Sequence, residues 1–228
     1  MKEDNIKNIF LTANVHQIRT SLAGARWAIE SVIKNSDCAN KDLLTEALSK
    51  IVHSIGMIGE ILKSSEESSN EETIHLNKNN FFVNDLIKKI ISNLSFLTQQ
   101  KEISLDYEEK GLFEINADEK MIGIVLTNIF DNAFRYSPRS KVFISVEKEN
   151  SFVKIIVKDN GMGIDSTDME HIFQKFFRGK NAKSFDPLES GVGLYATKKI
   201  IELHGGNINI SSVLNKGTTV EVSLPLIY

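Results

Sequence analysis

Apolar residues at Leu11, Val15, Ile18, Leu22, Ala25, Ile29 and Val32 are spaced by alternating steps of four and three. This seam predicts one long amphipathic helix over about 5–34. The polar run 35–40 interrupts it, and Leu44, Ala47, Ile51, Ile55, Ile58 and Leu62 resume the spacing in a second helix. Two such helices on a short connection fold back on each other as an α-helical hairpin. Ile33, Leu43, Leu48, Val52 and Ile61 lie beside the seams, more apolar surface than one antiparallel neighbour covers. A second copy of the chain would cover it, giving a dimeric four-helix bundle. The polar and acidic run 64–72 then breaks the periodicity. It sets a first domain at 1–66, a hinge at 67–72 and a second domain at 73–228.

In the second domain the period changes repeatedly. Short strands are predicted at 73–76, 103–107 and 112–115, and helical spacing runs over 82–99. Asp118 is placed to cap a helix running to about Tyr136. Strands at 142–148 and 152–158 flank a hairpin turn at 149–151, a helix covers 193–204, and strands at 207–212 and 218–224 close around Asn215-Lys216-Gly217. A mixed sheet with helices on one face, a two-layer α/β sandwich, is the simplest architecture for this order.

Composition removes several classes of function. A chain of 228 residues can bury the cores of one small and one medium domain. With 27 basic and 30 acidic residues it carries no sign of nucleic-acid binding. Cys38 is the one cysteine, which rules out an internal disulfide framework and argues for a reducing, cytoplasmic setting. No apolar run reaches the roughly 18 residues of a membrane span.

Candidate chemistry begins at His16, one residue off the first seam, so its imidazole flanks the packed stripe and reaches solvent. Gln17 follows it and Thr20 lies one turn along the same face. From this segment alone a surface histidine on a coiled-coil helix is the simpler reading; the later motifs reverse it. In the helix after Asp118, the residues Asn128, Asn132 and Arg135 share one polar face, while Ile124, Val125, Ile129 and Ala133 pack inward. Amide oxygens there suit magnesium carried by a triphosphate, completing its shell without adding negative charge. A solvated polar stripe is an equal reading of that segment taken by itself.

Asp159-Asn160-Gly161-Met162-Gly163 follows a strand directly. Its alternate glycines let a flat ligand approach the main chain, and its carboxylate can accept from an exocyclic amino group such as that of adenine. Ser190-Gly191-Val192-Gly193-Leu194 opens a helix, where free N–H groups and the helix dipole favour phosphate. Between them, 173–184 is a basic, glycine-containing segment with the look of a lid over phosphates.

In this order, and over nearly the whole chain, these residues resemble the transmitter region of two-component sensor histidine kinases. That region is a dimerisation and phosphoacceptor hairpin followed by an ATP-binding domain of the GHKL, or Bergerat, type. The H box matches His16 to Leu22, the N box Asn128 to Pro138, the G1 box Asp159 to Gly163, the F box Phe173 to Arg178 and the G2 box Ser190 to Leu194. Glu202-Leu203-His204-Gly205-Gly206 and Lys216-Gly217-Thr218-Thr219 are also typical of such chains. The resemblance implies that His16 accepts the γ-phosphoryl group of ATP, that Asn132 and Asn128 hold Mg2+, and that Arg135 and Tyr136 line the nucleotide. Asp159 would read the adenine amino group; Gly161, Gly163, Gly191 and Gly193 would shape the pocket; Phe173 and Arg178 belong to the lid, with Arg178 steadying the phosphates. The implied partners are a second copy of the chain and the receiver domain of a response regulator.

Three residues depart from the family pattern. Gln17 stands where an acidic residue usually follows the histidine, and it cannot take a proton at neutral pH. Ser21 replaces a proline, so the first helix lacks the customary cause of a bend. Glu189 stands where the G2 box often begins with glycine. Thr20 matches the position that in such families orients a water for dephosphorylating the partner, which implies a phosphatase activity. Two alternatives remain from the sequence. One is a weakened kinase homologue serving as a phosphotransfer or docking dimer. The other is a GHKL-type ATPase, although those relatives carry a glutamate four residues before the magnesium-binding asparagine, where this chain has Asn128.

Overall fold

The computed structural model describes residues 76–185, 191 and 193–227. The helical hairpin, the hinge at 67–72 and the residues His16, Gln17 and Thr20 lie outside the described residues, as do Glu189 and Ser190. The elements run β1 (Asn79–Phe82), α1 (Val83–Asn93), α2 (Ser95–Gln100), β2 (Ser104–Glu109), β3 (Glu114–Ala117), α3 (Glu119–Arg135), β4 (Lys141–Glu149), β5 (Phe152–Asp159), α4 (Lys180–Phe185), α5 (Gly193–Leu203), β6 (Asn207–Val213) and β7 (Gly217–Pro225).

Alternation along β4 and β5 sets the layering. Val142, Ile144 and Val146 on β4 and Val153, Ile155 and Val157 on β5 are buried on one face. Their neighbours on the other face include Glu147, Lys154 and Lys158. The five-stranded sheet has the order β2-β4-β5-β7-β6. β2 and β4 are parallel, and the remaining pairs are antiparallel. The mixed sheet read from the sequence is therefore present. Its open face is wet and charged, with Lys110 Nζ at 2.7 Å from Glu147 and Lys154 Nζ at 3.0 Å from Glu149. Exposed pairs of this kind contribute no more than about 1 kcal/mol each. The covered face packs against α3 through Ile122, Val125, Leu126, Ile129 and Phe130, and against α5 through Ala196, Ile200 and Ile201, all buried.

Asp118 caps α3 as its position foretold: its Oδ1 accepts from the Met121 N–H at 3.1 Å. Its Oδ2 accepts from the Asn77 N–H at 3.0 Å, tying the segment before β1 to the start of the helix. The helical stretch expected over 82–99 is two helices, broken at Leu94. Residues two apart in one helix point about 200° away from each other, so a continuous helix could not bury both Leu94 and Phe96. The break lets both, and Leu97, enter the core. Of the strand expected at 73–76, Leu76 is irregular and 73–75 lie outside the described residues. The strand that forms is β1, antiparallel to β3 with Asn79 opposite Ala117 and Phe82 opposite Glu114. Its polar first half is satisfied across the strands, Asn116 Nδ2 donating to Asn80 Oδ1 at 2.6 Å. Among the described residues, no helix is long and apolar enough to cross a membrane.

Candidate functional site

A pocket opens where the covered face of the sheet is left bare between α3 and the start of α5. Asn128, Asn132 and Tyr136 line it, each one turn further along α3, with Ile129 and Ala133 between them. Gly191, Gly193 and Leu194 form the facing wall; Asp159, Met162, Gly163, Ile210, Thr218 and Val220 supply the floor and one end. The cavity measures about 180 Å³, roughly ten times what a single water occupies on the same measure. An apolar floor with a few convergent polar groups is the usual form of a small-molecule site.

The close approach of α5 to α3 depends on Gly193. A Cβ at that position would run into the Asn128 amide, lying 3.1 Å from its Nδ2 and nearer still to its Oδ1. Gly191 adopts φ +69, and a Cβ there would meet the Phe177 carbonyl at 2.7 Å. These two glycines leave an open cradle at the amino end of an eleven-residue helix, where unpaired N–H groups point outward.

Asp159 ends β5 with its carboxyl almost fully buried. Its Oδ1 accepts from the backbone N–H of Gly161 at 2.8 Å and of Thr218 at 3.2 Å. Burial pushes the carboxyl above the usual carboxylate range, and those two N–H groups offset only part of that rise. Gly161 itself does not line the cavity. It makes the turn that holds the carboxylate, and a Cβ on it would collide with the Tyr136 carbonyl and with Asp159 Oδ1.

Asn128 is buried, its Nδ2 donating to Thr197 Oγ1 at 2.9 Å. Asn132 lies one turn nearer the mouth. The two amides are neutral oxygen donors beside an N-terminal phosphate cradle, and this donor set fits a magnesium ion that arrives with phosphates. Among the described residues no group of three or more His, Cys, Asp and Glu could hold a metal without such a ligand.

Arg178 lines the rim and donates through Nη2 to the Ala182 carbonyl at 2.9 Å, bracing the basic segment on its own short helix, α4. Phe185 at the end of α4 packs against Tyr136, ring centroids 5.7 Å apart. Besides Gly161, two residues of the sequence reading stand away from the cavity. The Arg135 guanidinium turns onto Asp131, one turn back, with Nη2 at 3.1 and 3.0 Å from the two carboxylate oxygens and Nε at 3.2 Å. Asp131 is fully buried, and a buried carboxylate holds a cation more strongly than an open pocket does. Phe173 does not line the cavity; the Lys198 ammonium sits 4.9 Å over its ring. Asp165 and Asp168, which no sequence motif singled out, do line it, with Ile172 and Phe177.

The comparisons with known proteins agree with this geometry. Residues 117–227 match the family model described as histidine kinase-, DNA gyrase B-, and HSP90-like ATPase. The chain is 28% identical over 232 residues to the sensor histidine kinase WalK of Bacillus subtilis (strain 168), covering 98% of this chain and 37% of that protein. It is 27% identical over 231 residues to the sensor protein SrrB of Staphylococcus aureus (strain N315), covering 97% of this chain and 38% of that protein. It thus spans somewhat over a third of the length of these relatives. Among solved structures, the catalytic domain of the histidine kinase ThkA superposes with a TM-score of 0.58 at 27% identity, over 65% of this chain and 95% of that one. The described domain therefore has a GHKL-type α/β sandwich fold and is similar over residues 117–227 to the histidine kinase-, DNA gyrase B- and HSP90-like ATPases, on a chain similar to sensor histidine kinases along nearly its whole length.

Proposed function

We propose that this chain is the kinase core of a sensor histidine kinase. It binds ATP with magnesium in the pocket between α3 and α5, phosphorylates His16, and passes the phosphoryl group to an aspartate on the receiver domain of a response regulator. The observation that carries this reading is that the Asn128 and Asn132 amides, the glycine cradle of α5 and the buried Asp159 carboxylate at the end of β5 line one pocket. An adenine amino group would donate to Asp159, and the phosphates would lie at the start of α5 with Arg178 beside them. A bound magnesium ion would neutralise phosphate charge as the terminal phosphoryl group leaves. Asn132 and Asn128 would hold it.

In the transfer, an imidazole nitrogen of His16 attacks the γ-phosphorus. The bond from that phosphorus to the bridging oxygen breaks, ADP leaves, and the ring gives up its N–H proton to water, since Gln17 cannot accept it. Thr20 would orient a water that hydrolyses the phosphoryl group from the regulator's aspartate, a phosphatase activity. Two copies of the chain would associate through residues 1–66. Position 128, where ATP-hydrolysing relatives carry a glutamate, is an asparagine, which favours transfer to His16 over hydrolysis.

The test is incubation of the full chain, His16→Ala and Asn132→Ala with γ-labelled ATP. Acid-labile label on the parent, absent from His16→Ala and strongly reduced in Asn132→Ala, supports the assignment. Label that survives His16→Ala overturns it. ATP binding with no label at all would make the chain a docking module.

A further inference from the structure

We infer that Thr197 is a positioning residue for the phosphate and metal end of the pocket. Its hydroxyl holds the buried Asn128 amide with the carbonyl oxygen presented to the ligand. The inference rests on the proposed function and deepens it. Thr197 lies one turn into α5, is itself buried and is not among the residues lining the cavity, so it acts only through Asn128.

A threonine hydroxyl can donate or accept, so the 2.9 Å contact with Asn128 Nδ2 leaves two orientations of the amide open. The first turn of α5 decides between them. Asn128 Oδ1 is the amide atom nearest the space over Gly193 Cα, with Nδ2 further away. The amino end of a helix carries unpaired N–H donors and the positive end of its dipole. An amide oxygen is favoured there, whereas the flipped amide would set NH2 against those donors. With Nδ2 engaged on Thr197, the Asn128 side chain offers the cavity a fixed oxygen acceptor beside Gly193, where the α3 wall meets the facing one. Such an oxygen attracts a cation or a donor and repels phosphate oxygen. Its contribution should therefore be felt when phosphate arrives with magnesium and be nearly silent without the metal.

Two substitutions separate the hydroxyl from the packing. Thr197→Val keeps the shape and removes the hydroxyl; Thr197→Ser keeps the hydroxyl and removes a methyl. The measurement is the dissociation constant of ATP for the full chain with excess Mg2+ and again with chelator in place of the metal. We expect Thr197→Val to lose roughly three- to tenfold of the metal-dependent tightening, the scale of one neutral hydrogen bond. Its metal-free affinity should stay within about twofold of the parent, and Thr197→Ser should keep most of the tightening. If Thr197→Val does not fold, Thr197→Ala replaces it in the same comparison. Parent-like metal dependence in Thr197→Val overturns the inference. So does a parallel loss with and without metal, or a Thr197→Ser chain as impaired as Thr197→Val, since either result means packing alone. A parent chain that binds no ATP overturns the proposed function instead, and a parent that binds ATP with no gain from Mg2+ overturns the metal role of Asn128 and Asn132.

Discussion

The Nε2 of His204 accepts the backbone N–H of Asp118 at 3.1 Å, joining the residue just beyond α5 to the cap of α3. Its Nδ1 lies 2.7 Å from the Ile200 carbonyl, and since a carbonyl only accepts, Nδ1 carries the proton and the ring is neutral. The two helices that wall the pocket are thereby tied together at the ends remote from the ligand.

That neutral ring makes stability depend on pH with a definite sign. Burial is the main cause that lowers the His204 pKa below its ordinary value, and the nearby Lys78 adds to it, while the Ile200 carbonyl and the Asp118 charge act against it. The unfolded chain takes up the proton first as pH falls, near the usual value of about 6.5. The stabilisation is therefore complete above about pH 6.5 and is lost as pH drops from there toward the lowered folded value. Urea unfolding of the parent and His204→Gln between pH 8 and 5 should give a variant that is weaker at pH 8 but less sensitive to acid. Equal acid slopes in the two chains would refute a neutral histidine at this position.

Arg135 provides a test of structure against motif. If its guanidinium serves Asp131, then Arg135→Ala leaves a buried carboxylate without this ion pair, at a cost of about 3–5 kcal/mol in stability. Nucleotide affinity, measured where the variant remains folded, should change little. If Arg135 instead reaches the nucleotide, the pattern reverses, with ATP affinity falling and the unfolding midpoint unmoved.

Much of this domain was legible because its signals were local. Strands β4 and β5 alternate or run apolar on both sides of a turn at 149–151, and the structure puts Asn150 there at φ 56. Asp118 stands directly before an amphipathic run. β1 was not anticipated because half of it is polar and its partner, β3, is more than thirty residues away. The break at Leu94 follows from what three side chains must reach in the core, which spacing along one helix does not encode. The pocket residues on α3 and in the glycine turns were readable, since each sits in a motif with a local reason for its residue types. Thr197, Asp165 and Asp168 have no such neighbours. Arg135 was assigned by the face of its helix, and the competing carboxylate at Asp131, on the same helix one turn back, decided where its long side chain turned.

Asp159→Asn should separate recognition of the base from that of the phosphates. An amide cannot accept with the strength of a carboxylate, and hydrogen bonds to charged groups are worth about 1.5–3 kcal/mol, so ATP affinity should fall roughly ten- to one-hundredfold. Affinity for inorganic triphosphate should hardly move. A competition assay with ATP, GTP and triphosphate checks this, and undiminished preference for ATP over GTP would remove Asp159 from the adenine site.

Two glycine-to-alanine changes should act in opposite directions for one geometric reason. Gly123 lies inside α3, and a Cβ there meets only Leu86 Cδ1 at 3.8 Å, an ordinary contact. Alanine restricts the unfolded chain and favours the helix, so Gly123→Ala should stabilise the chain by about 0.5–1 kcal/mol without altering ligand binding. At Gly193 the added methyl would strike the Asn128 amide, and relief requires either α5 to back away from α3 or the amide to swing out of place. Either movement spoils the cradle while the sheet and the rest of the core stay packed. Gly193→Ala should therefore cost most of the affinity for ATP and little of the unfolding midpoint. Thermal unfolding with and without nucleotide reads both effects: the Gly123→Ala midpoint should rise equally in both conditions, and Gly193→Ala should lose the shift that ATP gives the parent. A normal ATP-induced shift in Gly193→Ala would mean that phosphate does not lie at the start of α5.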